Sequence, residues 1–366
     1  MPHSNMQGVK WVKLKWKVSG EKVERLLIMT SAALVVALAL RGNGTDMARN
    51  EDSLLAGAQV NVQASLAPSA TPAPKEMQTV TVYYQDGEGY LIPVTTQVAK
   101  TDGIAKAALN LLVESGENDL TAARMGLKTV VPEGTQFDLD IVDGRARVDL
   151  SRESLGCESA EGEMLMVSAI AQTLTEFDSV QEVSFLFDGQ ARSKLTYGTD
   201  VSGVFSGNDL NVETLETFDG TDQTADLVRL YFPSQTGRML VPVTRVVYSD
   251  ADLVTAMTEL CRGPKADSGL VSAVPRGCGV RSVTMQNGVV TVDLTREFWN
   301  EAEDMDDDET QTLRCILFTV KQFPGVREVR IQVEGSPVEL PQNLQQTFVN
   351  VASEVMAYYP GVIEID

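Results

Sequence analysis

V-P-E-G-T-Q-F-D-L-D-I-V-D-G-R-A-R-V-D-L-S-R-E, from Val131 to Glu153, returns further along the chain as V-P-R-G-C-G-V-R-S-V-T-M-Q-N-G-V-V-T-V-D-L-T-R-E, from Val274 to Glu297. Each copy sets alternating apolar residues on either side of a dipeptide, Asp143-Gly144 or Asn287-Gly288, that favours the positive φ angles of a two-residue hairpin turn. Each closes on V-D-L-[ST]-R-E, so that Asp149 answers Asp293, and Arg152-Glu153 answers Arg296-Glu297. A hairpin cannot bury a core alone, so the repeat has to extend beyond it.

It extends in both directions. Upstream, Val80 to Val98 answers Leu227 to Val246, with Pro93 falling where Pro242 falls. Helical spacing follows: Ile104, Ala107, Leu111 and Leu112 in one copy, Leu253, Ala256, Leu260 and Cys261 in the other. Beyond the hairpin, Met164, Val167, Ile170, Leu174 and Phe177 parallel Thr310, Leu313, Ile316, Val320 and Phe323 as a second helix. A closing strand follows, Val183, Phe185 and Phe187 or Val329, Ile331 and Val333, and Gly189 or Gly335 ends the unit. Each unit reads β-β-α-β-β-α-β. The fold class is α+β: two tandem two-layer sandwich domains, with helices on one face of each sheet and the other face polar and wet. That polar face carries Arg145, Arg147, Asp149, Glu182 and Ser184 in the first unit, and Thr291, Asp293, Glu328, Arg330 and Gln332 in the second. Each unit is expected to fold and unfold cooperatively when expressed alone.

The chain of 366 residues thereby divides into a basic tail (1–25), an apolar segment (26–41), a stalk (42–78), a first domain (79–190), a connector (191–225), a second domain (226–335) and a C-terminal extension (336–366). The tail holds five lysines, one arginine and interleaved Trp11, Val12, Leu14 and Trp16, which suits the inner face of an anionic bilayer. Residues 26–40 run without a charge, and we read them as a signal-anchor or signal peptide that contacts the membrane. Ala37-Leu38-Ala39 offers a cleavage site, but it sits inside the apolar run, which favours the uncleaved anchor. The lysine-rich end then faces the cytoplasm and the domains lie outside it. The stalk contains Pro68, Pro72 and Pro74 among Ala, Ser and Thr. In the connector, Leu195, Tyr197, Val201, Val204 and Phe205 are placed to pack on the first domain, and in the extension Phe348 to Tyr358 suggests a short helix stopped by Pro360-Gly361.

Charge and composition exclude several functions. The first fifty residues hold eight Lys/Arg against three Asp/Glu, a surplus of +5, so the total of −21 leaves −26 on the remainder. So acidic a surface repels phosphate and argues against nucleic acid. The single histidine, His3, lies in the tail, so the domains contain no Ser-His or Cys-His pair. Phosphate-loop, nucleophile-elbow, dinucleotide and C-x-x-C motifs are absent, and the reading is of a non-enzyme without cofactor. Asp304, Asp306 and Asp308 have calcium-loop spacing, but Glu309 stands where glycine is required and Cys315 where the closing glutamate belongs. The run is better explained as carboxylates preceding a helix, and no metal site is expected. Asp149 and Asp293 are the natural candidates for paired catalytic carboxylates, but they come from different sheets, and strand-end hydrogen bonding explains them more simply. Cys157, Cys261, Cys278 and Cys315 do not repeat between the units, and any disulfide among them is left open.

V-P-x-G, then D-G or N-G, then V-D-L-[ST]-R-E, between two amphipathic helices and present twice, resembles the GerMN domain of GerM-like sporulation and germination proteins. The resemblance covers Val80 to Gly189 and Leu227 to Gly335. It implies a membrane-tethered, extracytoplasmic protein of the cell envelope in spore-forming bacteria, placed around the engulfed forespore, with domains similar to the ring-building modules of secretion and sporulation channels. Its partners would be other envelope or sporulation-channel proteins and further copies of itself, with Asp149, Arg152, Asp293, Arg296, Arg147 and Arg330 as interaction candidates. The chain departs from a lipid-anchored start, because no cysteine follows the apolar run. A second function class is an extracytoplasmic protein that binds glycan or peptidoglycan fragments. Three tryptophans, of which only Trp299 falls in a repeat, weaken the stacking that sugar recognition uses.

Overall fold

The structure is a computed structural model that describes residues 76–213, 225–237, 239–299 and 308–349, all within one compact unit, Pro72–Asp366. The tail, the apolar segment and the stalk as far as residue 75 lie outside the described residues, as do Asp304, Asp306 and everything after Val349. Among the described residues no helix is long and apolar enough to cross a membrane.

The first repeat begins with a ribbon, β1 (Met77–Gln85) and β2 (Leu91–Ala99), followed by α1 (Ile104–Asn110) and α2 (Gly116–Arg124). Strands β3 (Phe137–Val142) and β4 (Arg145–Leu150) form the duplicated hairpin, α3 spans Ala160–Thr175, and β5 (Glu182–Phe187) closes the unit. The second repeat has β6 (Asp226–Pro233) and β7 (Leu240–Val247), α4 (Leu253–Arg262), β8 (Val280–Gln286), β9 (Val289–Leu294), α5 (Asp308–Lys321) and β10 (Glu328–Val333). It ends in a two-residue strand β11 (Ser336–Pro337) and α6 (Gln342–Val349).

The hairpin turns are as the dipeptides demand. Asp143 and Gly144 have φ of 50° and 78°, and Asn287 and Gly288 have 52° and 78°, the conformation that matches the twist of two antiparallel strands. A side chain at residue 288 would also collide with the Gly325 carbonyl, 2.9 Å from where its Cβ would sit. The second copy is one residue longer before its turn, and the extra residue is absorbed as a bulge between Val280 and Ser282. The helix after each hairpin returns the chain so that β5 runs parallel to β4, and β10 parallel to β9. Val148, Leu150, Val183 and Phe187 in one sheet, and Val292, Leu294, Val329 and Ile331 in the other, are buried, while Arg145, Arg147 and Arg330 on the alternate positions are exposed.

Several expectations change. The first two strands of each repeat do not join the sheet that follows; they form separate two-stranded ribbons. Helix α3 packs against both β1 of the ribbon and β5 of the sheet, so Leu165, Met166, Val167, Ala169, Ile170, Ala171 and Leu174 are all buried, and Met164, expected on the apolar stripe, is exposed. The buried stripe of α1 is Ala105, Ala108 and Leu109, continued by Leu112, one residue round from the expected Ile104 and Ala107. Helix α2 was not anticipated; Ser115 caps it by accepting a hydrogen bond from the Asn118 amide. In the connector, Leu195 and Val201 are buried and Phe205 meets Phe185 edge-on at 5.2 Å, whereas Tyr197 and Val204 are exposed. In the extension α6 buries Leu344 and Phe348, and the helix expected from Phe348 to Tyr358 lies outside the described residues past Val349.

The ribbons also join the repeats. Val80, Thr81, Val82, Tyr83 and Tyr84 are consecutive and all buried, so both faces of β1 are covered, and burial of each large apolar side chain contributes about 1.5–3 kcal/mol. Helices α3 and α1 pack on β1, and Arg229 and Tyr231 of the second repeat lie within electrostatic reach of Tyr83. Strand β2 packs beside β7. Each has a proline, Pro93 or Pro242, that lacks a donor, which disfavours continuous strand pairing between them. Asn211 of the connector bridges them instead: its Oδ1 accepts from Leu91 N at 2.9 Å, and its Nδ2 donates to the carbonyls of Leu91 and Pro242, both at 2.8 Å. Tyr90 donates to the Ser268 carbonyl at 2.9 Å. The expectation of two independently folding units omits this interface.

Candidate functional site

The duplicated V-D-L-[ST]-R-E motif builds the end of each sheet. Asp149 Oδ1 accepts from Gly189 N at 3.0 Å, and Asp293 Oδ1 from Gly335 N at 2.9 Å. The partner in each case follows a residue in the left-handed region, Asp188 at φ 56° or Glu334 at φ 53°, so the carboxylate holds the turn that leaves the closing strand. Ser151 Oγ accepts from Gln136 N at 3.0 Å and Thr295 Oγ1 from Gly279 N at 3.1 Å, fastening the strand end to the loop that enters the hairpin. The hydroxyls of Ser151 and Thr295 hydrogen-bond Glu153 and Glu297 and lower the pKa of both carboxyls below its ordinary value.

The hydrogen bonds of Asp149 and Asp293 stay within their own repeats, and the two are not brought together as a catalytic pair. Asp293 differs in being buried and in pairing with Arg281 of the bulge at 3.0 Å. Arg152 and Arg296, within the motif, are exposed, and Arg296 reaches Glu297 at 3.3 Å. On the polar faces, Arg145 pairs with Glu182 at 2.8 Å, Arg147 with Asp140 at 3.1 Å, and Arg330 with Glu328 at 2.6 Å. Such exposed pairs exchange partners at little cost, typically under about 1 kcal/mol.

The edges of the sheets are unequal. In the first sheet the connector covers β5, with Val183 and Phe205 exchanging two backbone hydrogen bonds of 2.8 Å; in the second, β11 covers β10. Strands β3 and β8 are the outermost strands of their sheets, and Ile141, Val142 and Met285 are exposed on them. Asp138 and Asp140 on β3, and the bulge with Arg281 on β8, are features that discourage indiscriminate edge pairing. The polar face of the second sheet is less open than that of the first. Helix α6 lies against β10, and Arg330, Gln332, Leu340 and Phe348 frame a cleft of about 280 Å³ there.

Two polar devices were not legible in the sequence. Arg245 is buried, with its guanidinium on Glu213 at 2.7 and 2.9 Å, on Glu259 at 3.1 Å and on the Gly263 carbonyl at 3.0 Å. Burial opposes its charge, but the hydrogen bonds and charges of Glu213 and Glu259 outweigh that and hold the proton more firmly than usual. Tyr83 donates to Glu176 at 2.6 Å, and burial followed by that carboxylate raises its pKa well above the ordinary value. Arginine or tyrosine in a strand that otherwise reads as apolar, here V-T-R-V-V and V-Y-Y, was the signal available. Among the described residues no group of three or more His, Cys, Asp or Glu side chains is placed to hold a metal ion.

Two units that share a ribbon, a helix, a hairpin, a second helix and a closing strand, the first with α2 added, and each with a turn carboxylate at the strand end, define a tandem-domain protein. A family described as "Germane: Sporulation and spore germination" matches residues 81–193 and 229–339, and the chain belongs to that family. It is 29% identical over 261 residues to the spore germination protein GerM of Bacillus subtilis (strain 168), covering 69% of this chain and 71% of that protein. The solved tandem GerMN domains of the B. subtilis sporulation protein GerM superpose with a TM-score of 0.61 at 25% identity, over 73% of this chain and 98% of that one. This is therefore a GerM-like sporulation and germination protein with tandem GerMN domains, and neither relative's name assigns a reaction.

Proposed function

We propose that the chain is a non-catalytic, membrane-tethered component of the cell envelope that acts in sporulation or germination as a scaffold or ring-forming subunit. The observation that carries this reading is the asymmetry of the sheets: helices take one face and the chain's own segments take one edge, while the polar face of the first sheet and the outer strands β3 and β8 stay available. Like copies meeting through such surfaces can pair Arg147 or Arg330 with carboxylates of a neighbour. Contacts of this kind are weak in dilute solution. Residues 26–40 acting as an anchor would confine the domains to one membrane, and the raised effective concentration favours a marginal interface. In this reading Asp149 and Asp293 maintain the surface, while Arg147, Arg152, Arg296 and Arg330 present charge at or near it; the partners are envelope or sporulation-channel proteins and further copies of the chain.

The test is charge reversal at both faces, Arg147→Glu with Arg330→Glu. The double variant should keep its circular dichroism and lose its localisation in sporulating cells. Wild-type localisation and spore yield would remove these faces from the interface and move attention to a ligand, with peptidoglycan fragments tried first.

A further inference from the structure

Two of the four cysteines meet. Cys261 lies in the last turn of α4, and Cys278 lies in the V-P-R-G-C-G loop that enters β8. Helix α4 packs on β8, and the two thiols are in hydrogen-bonding contact with each other. Cys278 is buried at 5% exposure, its amide donates to the Pro275 carbonyl at 3.0 Å, and the Thr295 hydroxyl stands beside its sulfur. The other two are placed differently: Cys315 is wholly buried in α5, and Cys157 has Met166 Sδ at 3.9 Å and the Ser154 carbonyl at 3.7 Å. The first repeat builds the same loop with Thr135 in place of Cys278, so the thiol is an addition to the second domain rather than a requirement of the fold.

We propose that Cys261 and Cys278 are a disulfide-forming pair that staples the end of α4 to the loop entering β8. This goes beyond the assembly reading and does not depend on it. The chemistry is ordinary thiol–disulfide exchange with a low-molecular-weight disulfide, RS–SR, as the oxidant. The Cys278 thiol loses its proton to water to give the attacking thiolate, while Cys261 retains its own. When the loop opens, or before it closes during folding, Cys278 Sγ attacks one sulfur of RS–SR, forming Cys278–S–SR and releasing RS⁻. Cys261 gives its proton to that RS⁻, and its sulfur attacks Cys278 Sγ. The Cys261–Cys278 bond forms, and the second RS⁻ leaves and takes a proton from water. Two protein thiols are oxidised and one RS–SR is reduced to two RSH.

The geometric requirement is that Cβ atoms a few ångströms apart point toward one another, which mutual hydrogen bonding of the thiols favours. A bond here closes the loop from residue 261 to 278, and restricting that loop in the unfolded chain stabilises the second domain.

The full chain would be unfolded in urea, refolded in a buffer of reduced and oxidised glutathione, alkylated under denaturing conditions without reduction, and mapped by peptide mass spectrometry. The expected map shows one linked peptide joining Cys261 to Cys278, with Cys157 and Cys315 alkylated. The thermal midpoint should fall by several degrees when dithiothreitol is added to the wild type, and should not respond in C261S or C278S. Alkylation of both Cys261 and Cys278, linkage of either to another cysteine, or a wild-type midpoint indifferent to reduction would overturn the proposal. Because the map is made on purified protein, loss of localisation in the charge-reversal variant leaves it unaffected, and failure of the map leaves the assembly reading standing.

Discussion

Replacing Asn211 tests how the two repeats are held together. Its side chain makes three hydrogen bonds, to Leu91 N, Leu91 O and Pro242 O, at 2.8–2.9 Å, and Leu91 and Pro242 are both buried. At about 0.5–1.5 kcal/mol net for each bond, their loss should cost about 2–4 kcal/mol, toward the upper end because the backbone groups of Leu91 and Pro242 lose a partner that water replaces poorly. Asn211 also has φ of 49°, a left-handed conformation that asparagine tolerates better than alanine. Asn211→Ala therefore carries a further penalty of about 1 kcal/mol that Asn211→Gly does not. The measurement is urea unfolding of both variants followed by far-ultraviolet circular dichroism. The expected result is a lowered midpoint for the glycine variant, a lower one for alanine, and broadening or splitting of the transition as the repeats uncouple. Both variants within about 0.5 kcal/mol of wild type would refute the bridge, because changes away from structural features stay in that range.

The turn carboxylates give a graded pair. Asp149→Ala should cost about 1 kcal/mol, the value of a lost cap, whereas Asp293→Ala should cost about 2 kcal/mol because it also removes the Arg281 pair at 3.0 Å and leaves Arg281 only Glu334 at 3.9 Å; chemical denaturation measures both, and equal costs would contradict the difference in environment. Glu153 and Glu297 have folded-state pKa values lowered from 4.5 by the Ser151 and Thr295 hydroxyls, so their contribution is complete above pH 4.5 and is lost as the pH falls through the lowered values. Ser151→Ala with Thr295→Ala should flatten the acid side of a plot of urea midpoint against pH, and an unchanged slope would show that these hydroxyls do not hold the glutamates.

Much of the architecture was legible from local pattern. A two-residue turn sets its own φ angles, so Asp143-Gly144 and Asn287-Gly288 located both hairpins. Alternation with period two determines which side chains share a sheet face, so Val148 and Leu150 could be placed in the core and Arg145 and Arg147 outside it. The role of Asp149 and Asp293 followed from their place at a strand end beside a glycine turn, although the particular donors, the amides of Gly189 and Gly335, needed coordinates. What stayed hidden depends on contacts between segments distant in the chain. Val80 to Tyr84 lie in one strand, and only the packing of α1 and α3 on it and the approach of Arg229 and Tyr231 from the second repeat account for the burial of all five. Asn211 and Arg245 resemble loop and surface residues until the backbone and carboxylates they satisfy are brought to them. Cys261 and Cys278 are separated by a loop whose path no periodicity specifies, and packing of α4 on β8 sets one sulfur against the other. Hydrophobic period and turn chemistry are properties of a few neighbouring residues, so the sequence alone determined the repeat, its elements and its family; the mating of apolar faces and the partner of each buried polar group are set by long-range packing, and only the tertiary structure decided them.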